Sequence, residues 1–154
     1  MRVFVPMVCS LLLVFAAGAP LAAQTTQQVI AKAAADAEKK AIIATAMDLT
    51  EEEAAAFWPV YDEFQDELGK LHLRKAELLR IYAETWRSLD DETARGLLAE
   101  SLDIDKDRSS LRNSYLKRFR RVLSEVKVLR YYQLENKLHA TVQFGLAEKV
   151  PLAP

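Results

Sequence analysis

The residues after Thr50 carry the longest helical pattern in this chain. Thr50 and Glu53 have the spacing of a capping box, in which each side chain bonds the other residue's backbone amide. The apolar positions that follow recur mainly three or four residues apart, and they are Phe57, Tyr61, Phe64, Leu68, Leu71, Leu78 and Tyr82. This spacing puts them on one side of a helix in a coiled-coil-like seam. A helix from Thr50 to about Ser88 would be about 55–60 Å long, which excludes a squat globule.

Composition predicts helix for the rest of the chain. Alanine, leucine, glutamate, lysine and arginine dominate, and only three glycines and three prolines follow residue 23. Caps and helix breakers predict four helices, bounded by Thr26 and Met47, Thr50 and Ser88, Asp90 or Asp91 and Val122, and Ser124 and Pro151. Pro59 should kink the second helix, because its ring nitrogen cannot bond the carbonyl of Ala55. We therefore expect an all-α fold of long antiparallel helical hairpins, a thin open bundle with an apolar seam that closes on a second subunit.

The first 23 residues have the layout of a secretory signal peptide. Arg2 precedes an apolar stretch from Val3 to Ala17, and small residues lead up to Ala23. The stretch is shorter than the roughly 20 residues that span a bilayer, which favours cleavage near Ala23 over an uncleaved anchor. Cys9 is the only cysteine and would leave with this segment, so the exported protein would have no thiol chemistry. We expect residues 24–154 to form one domain.

Charge is separated along the chain. From Asp48 to Gly69 there are eight acidic residues and no basic one, whereas from Arg108 to Arg130 eight basic residues are opposed only by Glu125. One interpretation is that the two stretches neutralise each other, within the monomer or across a dimer. The other is a binding surface of cations and aromatic rings. Its candidate residues are Arg112, Tyr115, Lys117, Arg118, Phe119, Arg121, Lys127, Arg130, Tyr131 and Tyr132. The export signal argues against nucleic acid as the partner.

The sequence offers no strong catalytic or metal-binding pattern. The alternating aspartates at 103–107 resemble the start of a calcium loop, but Arg108 and Ser114 stand where that loop needs glycine and glutamate. His139 and Glu135, one helical turn apart, could hold zinc at the surface, although a lone helix histidine is usually just solvated. The chain lacks a glycine-rich phosphate loop and a Gly-x-Ser-x-Gly elbow. We expect no enzyme activity, no metal and no cofactor; a helical mutase that clamps a dicarboxylate is the enzyme alternative.

Two helix starts resemble a known family. Leu49-Thr50-Glu51-Glu52-Glu53 and Leu123-Ser124-Glu125-Val126-Lys127 are similar to the paired LTxxQ motifs of the Spy/CpxP family of small periplasmic proteins. Glu53 and Lys127 replace the glutamine of the motif, and Ser124 replaces the threonine. The motif positions are therefore Leu49, Thr50, Glu53, Leu123, Ser124 and Lys127.

The resemblance implies a curved, all-helical periplasmic dimer that holds unfolded or damaged proteins without ATP. It also implies an alternative, because some members restrain a membrane sensor kinase and some bind zinc or other metals. Our interpretation is a periplasmic chaperone-like protein, acting as a homodimer on unfolded or misfolded envelope proteins through the basic and aromatic surface. An envelope-stress regulatory or metal-sensing module that contacts a sensor kinase domain is the second hypothesis.

Overall fold

A computed structural model describes residues 35–154, and contacts divide the chain into two units, 1–40 and 41–154. The signal peptide predicted for residues 1–23, and the predicted start of the first helix, lie outside the described residues. Within 35–154 the structure is all-α, with no strand. Its helices are α1 (35–47 as described), α2 (Glu51–Thr85), a short 3-10 helix (Trp86–Ser88), α3 (Asp91–Phe119) and α4 (Glu125–Ala147). The second unit, 41–154, holds the end of α1 and all of α2, α3 and α4.

The predicted helix starts are confirmed by their caps. The Thr50 hydroxyl accepts from the Glu53 amide at 3.2 Å, and the Glu53 carboxylate accepts from the Thr50 amide at 2.9 Å. Asp90, one of the two candidates, caps α3, and Ser124 caps α4. The α2 helix continues through Pro59 without a break, and the kink there stays a prediction.

Two bounds differ from the sequence prediction in detail. The end of α2 tightens into the 3-10 helix before Ser88. The α3 helix ends at Phe119 and not near Val122, because a tight turn follows in which the Val122 and Leu123 amides both donate to the Phe119 carbonyl. This turn buries Leu123 against the core.

Side-chain pairs between α2 and α3 show that these helices are antiparallel. Glu63, early in α2, pairs with Arg118, late in α3. Arg74, further along α2, pairs with Glu100, much earlier in α3. The two helices therefore form the long hairpin that the sequence predicts.

The α4 helix runs parallel to α2 and antiparallel to α3. Lys127, near its start, contacts Glu53 near the start of α2, and the chain beyond its end reaches the far end of α2, where the Tyr82 hydroxyl donates to the Pro151 carbonyl at 2.8 Å. The Tyr132 hydroxyl of α4 donates to the carbonyl of Arg112 in α3 at 2.6 Å. The three helices therefore run up, down and up.

Aromatic rings form the core, and they lie at one end of this bundle. Phe119 lies 4.6 Å from Tyr131 between ring centroids, Tyr131 lies 5.3 Å from Phe57, and Phe119 lies 5.7 Å from Phe64. The residues that are completely buried are Tyr131, Phe57, Phe64, Phe119, Ile43 and Met47. We call this end the proximal half (residues 41–69 and 108–138) and the other end the distal half (residues 70–107 and 139–152).

The distal half buries far less. Leu78 and Ile104 are its buried apolar residues among those described. An open groove of about 600 Å³ runs between α2 and α3, lined mainly by Leu73, Leu78, Ile81, Gly96 and Leu97. Further apolar side chains in this half are exposed: Leu98, Leu102, Val142, Phe144 and Leu152. No helix within residues 35–154 is long and apolar enough to span a membrane.

We predict that Phe119→Ala destabilises the second unit by about 3–5 kcal/mol, because the change removes a fully buried ring that contacts rings from α2 and α4. Urea denaturation followed by circular dichroism measures the free energy of unfolding. Leu129→Ala is the matched control, since Leu129 is exposed and its truncation should have little effect. Equal destabilisation by both variants would contradict the position of the core.

Candidate functional site

Three of the four aromatic residues assigned to the predicted binding surface lie in the core. Phe119 and Tyr131 have no solvent exposure, and Tyr115 is nearly buried. The prediction that these rings line an exposed surface is wrong. Helical periodicity shows which residues share a face, but it does not show whether another helix covers that face. Tyr132 is half-buried, and the guanidinium of Arg112 lies 5.4 Å from its ring centroid.

Two of the predicted surface cations are paired with α2. Arg118 lies 2.6 Å from the Glu63 carboxylate, and Lys127 contacts the Glu53 carboxylate. These pairs support the interpretation in which acidic and basic stretches neutralise each other, and they do so within one chain. Hydrogen bonds to Arg118 lower the pKa of Glu63, so that carboxylate stays charged through the neutral range.

The remaining cations are exposed around the connection between α3 and α4. Lys117, Arg121 and Arg130 have no ion pair with any residue in 35–154. Val126 and Leu129, on the first turns of α4, are exposed beside them in the chain. We call these five residues the turn surface. It combines exposed cations that have no ion pair within the described residues with exposed apolar side chains nearby in the sequence, so it has the chemistry of the predicted binding surface with different apolar residues.

The two family-like motifs meet at the proximal end. The Lys127 ammonium contacts the Glu53 carboxylate and donates to the Asp48 carbonyl at 2.9 Å, where Asp48 ends α1 in a left-handed conformation. Leu123 is buried, and Leu49 packs against the same core. The residues at the two positions that resemble the glutamine of the motif, Glu53 and Lys127, thus carry opposite charges and contact each other.

The Glu53 carboxylate therefore makes two interactions. Its carboxylate caps α2 through the Thr50 amide and also receives the Lys127 ammonium. The hydrogen bond from Lys127, followed by the one from the Thr50 amide, lowers the pKa of Glu53 below its ordinary value of 4.5. The charged form is the one that both contacts favour.

A polar cluster of Gln65, Tyr131 and Glu135 borders the aromatic core. The Glu135 carboxylate is almost completely buried, and it accepts from the Gln65 amide at 2.9 Å and from the Tyr131 hydroxyl at 3.4 Å. Burial and the nearby Glu135 charge raise the pKa of Tyr131, so its hydroxyl keeps its proton and can donate. Tyr131, which the sequence assigns to the binding surface, therefore has a structural role as a hydrogen-bond donor to Glu135.

Arg108 and His139 lie on the α3 and α4 sides of this cluster. The Arg108 Nε atom is buried without a hydrogen-bond partner, and burial, followed by repulsion from Arg112, lowers the pKa of Arg108. Burial, followed by repulsion from Arg108, His72 and Arg112, lowers the pKa of His139, which disfavours a further positive charge here. In the sequence Arg108 was only one of eight cations, and no signal marked it as half-buried.

Two of the aspartates at 103–107, Asp103 and Asp107, form ion pairs with Arg74 of α2. The Arg74 guanidinium donates to Asp107 at 2.6 Å and to Asp103 at 3.3 Å, and it also pairs with Glu100 at 2.9 Å. Arg74 therefore occupies the position in which a cation would be held by this acidic face. Within residues 35–154 no three histidine, cysteine or acidic side chains group closely enough to hold a metal ion.

No family model, curated protein or solved structure matches this chain.

We predict that the Glu53–Lys127 contact couples the two motif positions. Glu53→Gln and Lys127→Gln should each lower the free energy of unfolding, and the double variant should lose less than the sum of the two, because two glutamines leave no unpaired charge. Urea denaturation of the four proteins of the cycle measures this coupling. The exposed pair Glu67 and Lys70 is the matched control and should show almost none. Additive losses at Glu53 and Lys127 would contradict the contact.

The lowered pKa of Glu53 predicts the acid behaviour of the same variant. A carboxylate whose pKa is lower in the folded chain stabilises the fold above pH 4.5, and this contribution is lost as the pH falls through the folded-state pKa. Wild type should therefore lose more stability than Glu53→Gln between about pH 5 and about pH 3. The test is a set of urea denaturations across this range, and parallel curves for the two proteins would contradict it.

Proposed function

We propose that this chain is an exported, periplasmic protein of chaperone type that holds exposed segments of unfolded or damaged envelope proteins without ATP. The observation that carries the proposal is the uncovered apolar surface of the distal half. A groove of about 600 Å³ lies there, and six large apolar side chains of this half are exposed in the described chain: Leu73, Leu98, Leu102, Val142, Phe144 and Leu152. Large exposed apolar patches are typical of sites that bind other chains.

The turn surface supplies the electrostatic part of the proposed activity. Lys117, Arg121 and Arg130 are not neutralised by carboxylates of residues 35–154. At physiological salt their field extends over about 8 Å, so it would attract acidic segments during encounter. Apolar contacts in the distal half would then slow dissociation, because loss of such contacts returns apolar area to water.

The resemblance to the Spy/CpxP family enters the proposal through its two helix-start motifs, and in the structure Glu53 of the first motif contacts Lys127 of the second. The homodimer that the resemblance implies is part of the proposal. The uncovered groove between α2 and α3 is where apolar area remains for a second copy or for a client.

We predict that residues 24–154 suppress the aggregation of a chemically denatured client protein at near-equal molar ratio, without added nucleotide. Light scattering after dilution from denaturant measures the suppression. Unchanged aggregation at every ratio would contradict the proposal. Failure here combined with capture by an inner-membrane sensor domain would favour the regulatory alternative.

The role of the turn surface predicts a specific kinetic change. Replacing Lys117, Arg121 and Arg130 with glutamine should slow capture of an acidic client by about tenfold at low salt and flatten the salt dependence. Stopped-flow fluorescence measures the association rate. The matched control replaces Arg87, Arg95 and Lys149, three exposed cations of the distal end, so the change in net charge is identical. An equal effect in both variants would show that only net charge matters.

A further inference from the structure

The chain beyond α4 is held by two aromatic side chains of the distal half. The Tyr82 hydroxyl donates to the Pro151 carbonyl at 2.8 Å, and the Trp86 indole Nε1 donates to the Leu152 carbonyl at 2.8 Å. Trp86, the C-cap of α2, keeps a helical φ of −47° and ψ of −42°, so the two donors lie one turn apart on the same side of the helix. Two rings at the end of α2 therefore bind two consecutive carbonyls of one segment.

The bound segment has the composition of an extended ligand. Residues 150–154 are Val-Pro-Leu-Ala-Pro, which contains the Pro-x-x-Pro spacing, and residues 151–154 form neither helix nor strand. Proline fixes its own φ at about −65° and disfavours helix at the residue before it. Such sequences favour the polyproline II conformation, which makes no internal hydrogen bonds. The carbonyls of this segment, which we call the proline segment (residues 150–154), are therefore available to donors on another element.

Recognition of the proline segment uses its backbone. Leu152 is 89% exposed, and the other residues of 151–154 are exposed as well, so their side chains lie largely in solvent. Tyr82 and Trp86 are half-buried, and an indole N–H can only donate, which suits it to a carbonyl. A site that binds carbonyls accepts any segment with the same backbone geometry, whichever residues lie between the prolines.

We propose that Tyr82 and Trp86 form a binding site for extended Pro-x-x-Pro segments of other protein chains, and that the proline segment occupies this site as a competitor within the same chain. The proline segment itself shows which ligand the two donors fit. Proline-rich segments dock on aromatic side chains in several recognition domains, because their backbone is already extended and loses little entropy on binding. The inference goes beyond the proposed chaperone function, since it rests on contacts within the chain and not on the turn surface or the groove.

The contacts of the proline segment allow an external segment to displace it. Both hydrogen bonds are exposed, so water competes for the same carbonyls. The proline segment follows closely after Ala147, the last residue of α4, which gives it a high effective concentration at the site. A change that loosens the proline segment should therefore strengthen the binding of an external one.

Nuclear magnetic resonance tests whether the proline segment occupies the site. The chain has two tryptophans, so it gives two indole N–H signals, each assigned by replacing one tryptophan with phenylalanine. Pro151→Gly/Pro154→Gly, the glycine variant, makes the proline segment more flexible and should move the Trp86 signal while the Trp58 signal stays in place. The matched control, Ala153→Gly, keeps both prolines and should move the Trp86 signal far less. An unmoved Trp86 signal in the glycine variant would overturn the competition.

Fluorescence anisotropy measures the binding of an external segment to residues 24–154, with a labelled Val-Pro-Leu-Ala-Pro peptide capped at both ends. The peptide should bind the glycine variant at least about threefold more tightly than wild type, because its competitor is weakened. Adding Tyr82→Phe and Trp86→Phe to the glycine variant keeps an aromatic ring at each position but removes both donors, and should weaken binding at least about tenfold. The matched control adds Trp58→Phe instead, which removes the indole at the proximal end, and should leave the dissociation constant within about twofold.

A peptide with alanine in place of both prolines provides the second arm. It should bind the glycine variant at least about threefold more weakly, because it loses more conformational freedom on binding. Equal binding of the two peptides, or undiminished binding after loss of both donors, overturns the site. A dimer that dissociates in the glycine variant during sedimentation would place the proline segment of a second copy there and overturn the assignment to other proteins. None of these measurements uses aggregation of a client, so the site and the chaperone proposal can fail separately.

Discussion

Packing of the Phe119 ring against Tyr131 and Phe57 joins three helices at one end of the bundle, and the rest of the structure depends on it. These rings come from α3, α4 and α2, and none has contact with solvent. Large rings bury much apolar area per residue, so a small core can hold long helices. The distal half has no comparable ring cluster in its described residues. Its leucines and Gly96 leave the groove between α2 and α3 open.

Ion pairs between helices occur in both halves, and in the distal half Arg74 pairs with Glu100, Asp103 and Asp107. At the proximal end, Glu53 and Lys127 fix the start of α2 to the start of α4, and Glu63 fixes Arg118. These pairs neutralise part of the separated charge within one chain. Among the basic residues from 108 to 130, Lys117, Arg121 and Arg130 are exposed and have no ion pair with a residue of 35–154, and these are the cations that we assign to binding.

Local signals in the sequence predicted the helices well. The side chains of Thr50, Asp90 and Ser124 bond amides three residues away, so a cap can be recognised without knowledge of the fold. The same reasoning overestimated the length of α3, because the turn after Phe119 depends on burying Leu123.

Long-range burial could not be predicted in the same way. The basic stretch contains Phe119, Tyr131 and Arg121. Sequence analysis assigns all three to the binding surface. The structure separates them because α2 covers the two rings and leaves Arg121 exposed. The half-buried position of Arg108 was missed for the same reason, since no short sequence pattern encodes which side chains the neighbouring helices cover.

Hydrogen exchange on residues 24–154, read by mass spectrometry with and without a denatured client, tests most directly whether the uncovered distal half is the binding region. Without client, amides in 98–108 and 138–146 should exchange faster than those in 57–68 and 115–135, because local opening is easiest where little apolar area is buried. With client, exchange should slow mainly in the distal half, in 73–81, 93–108 and 138–146. Uniform exchange along the three helices, or protection confined to the aromatic core, would contradict the assignment of the distal half as the binding region.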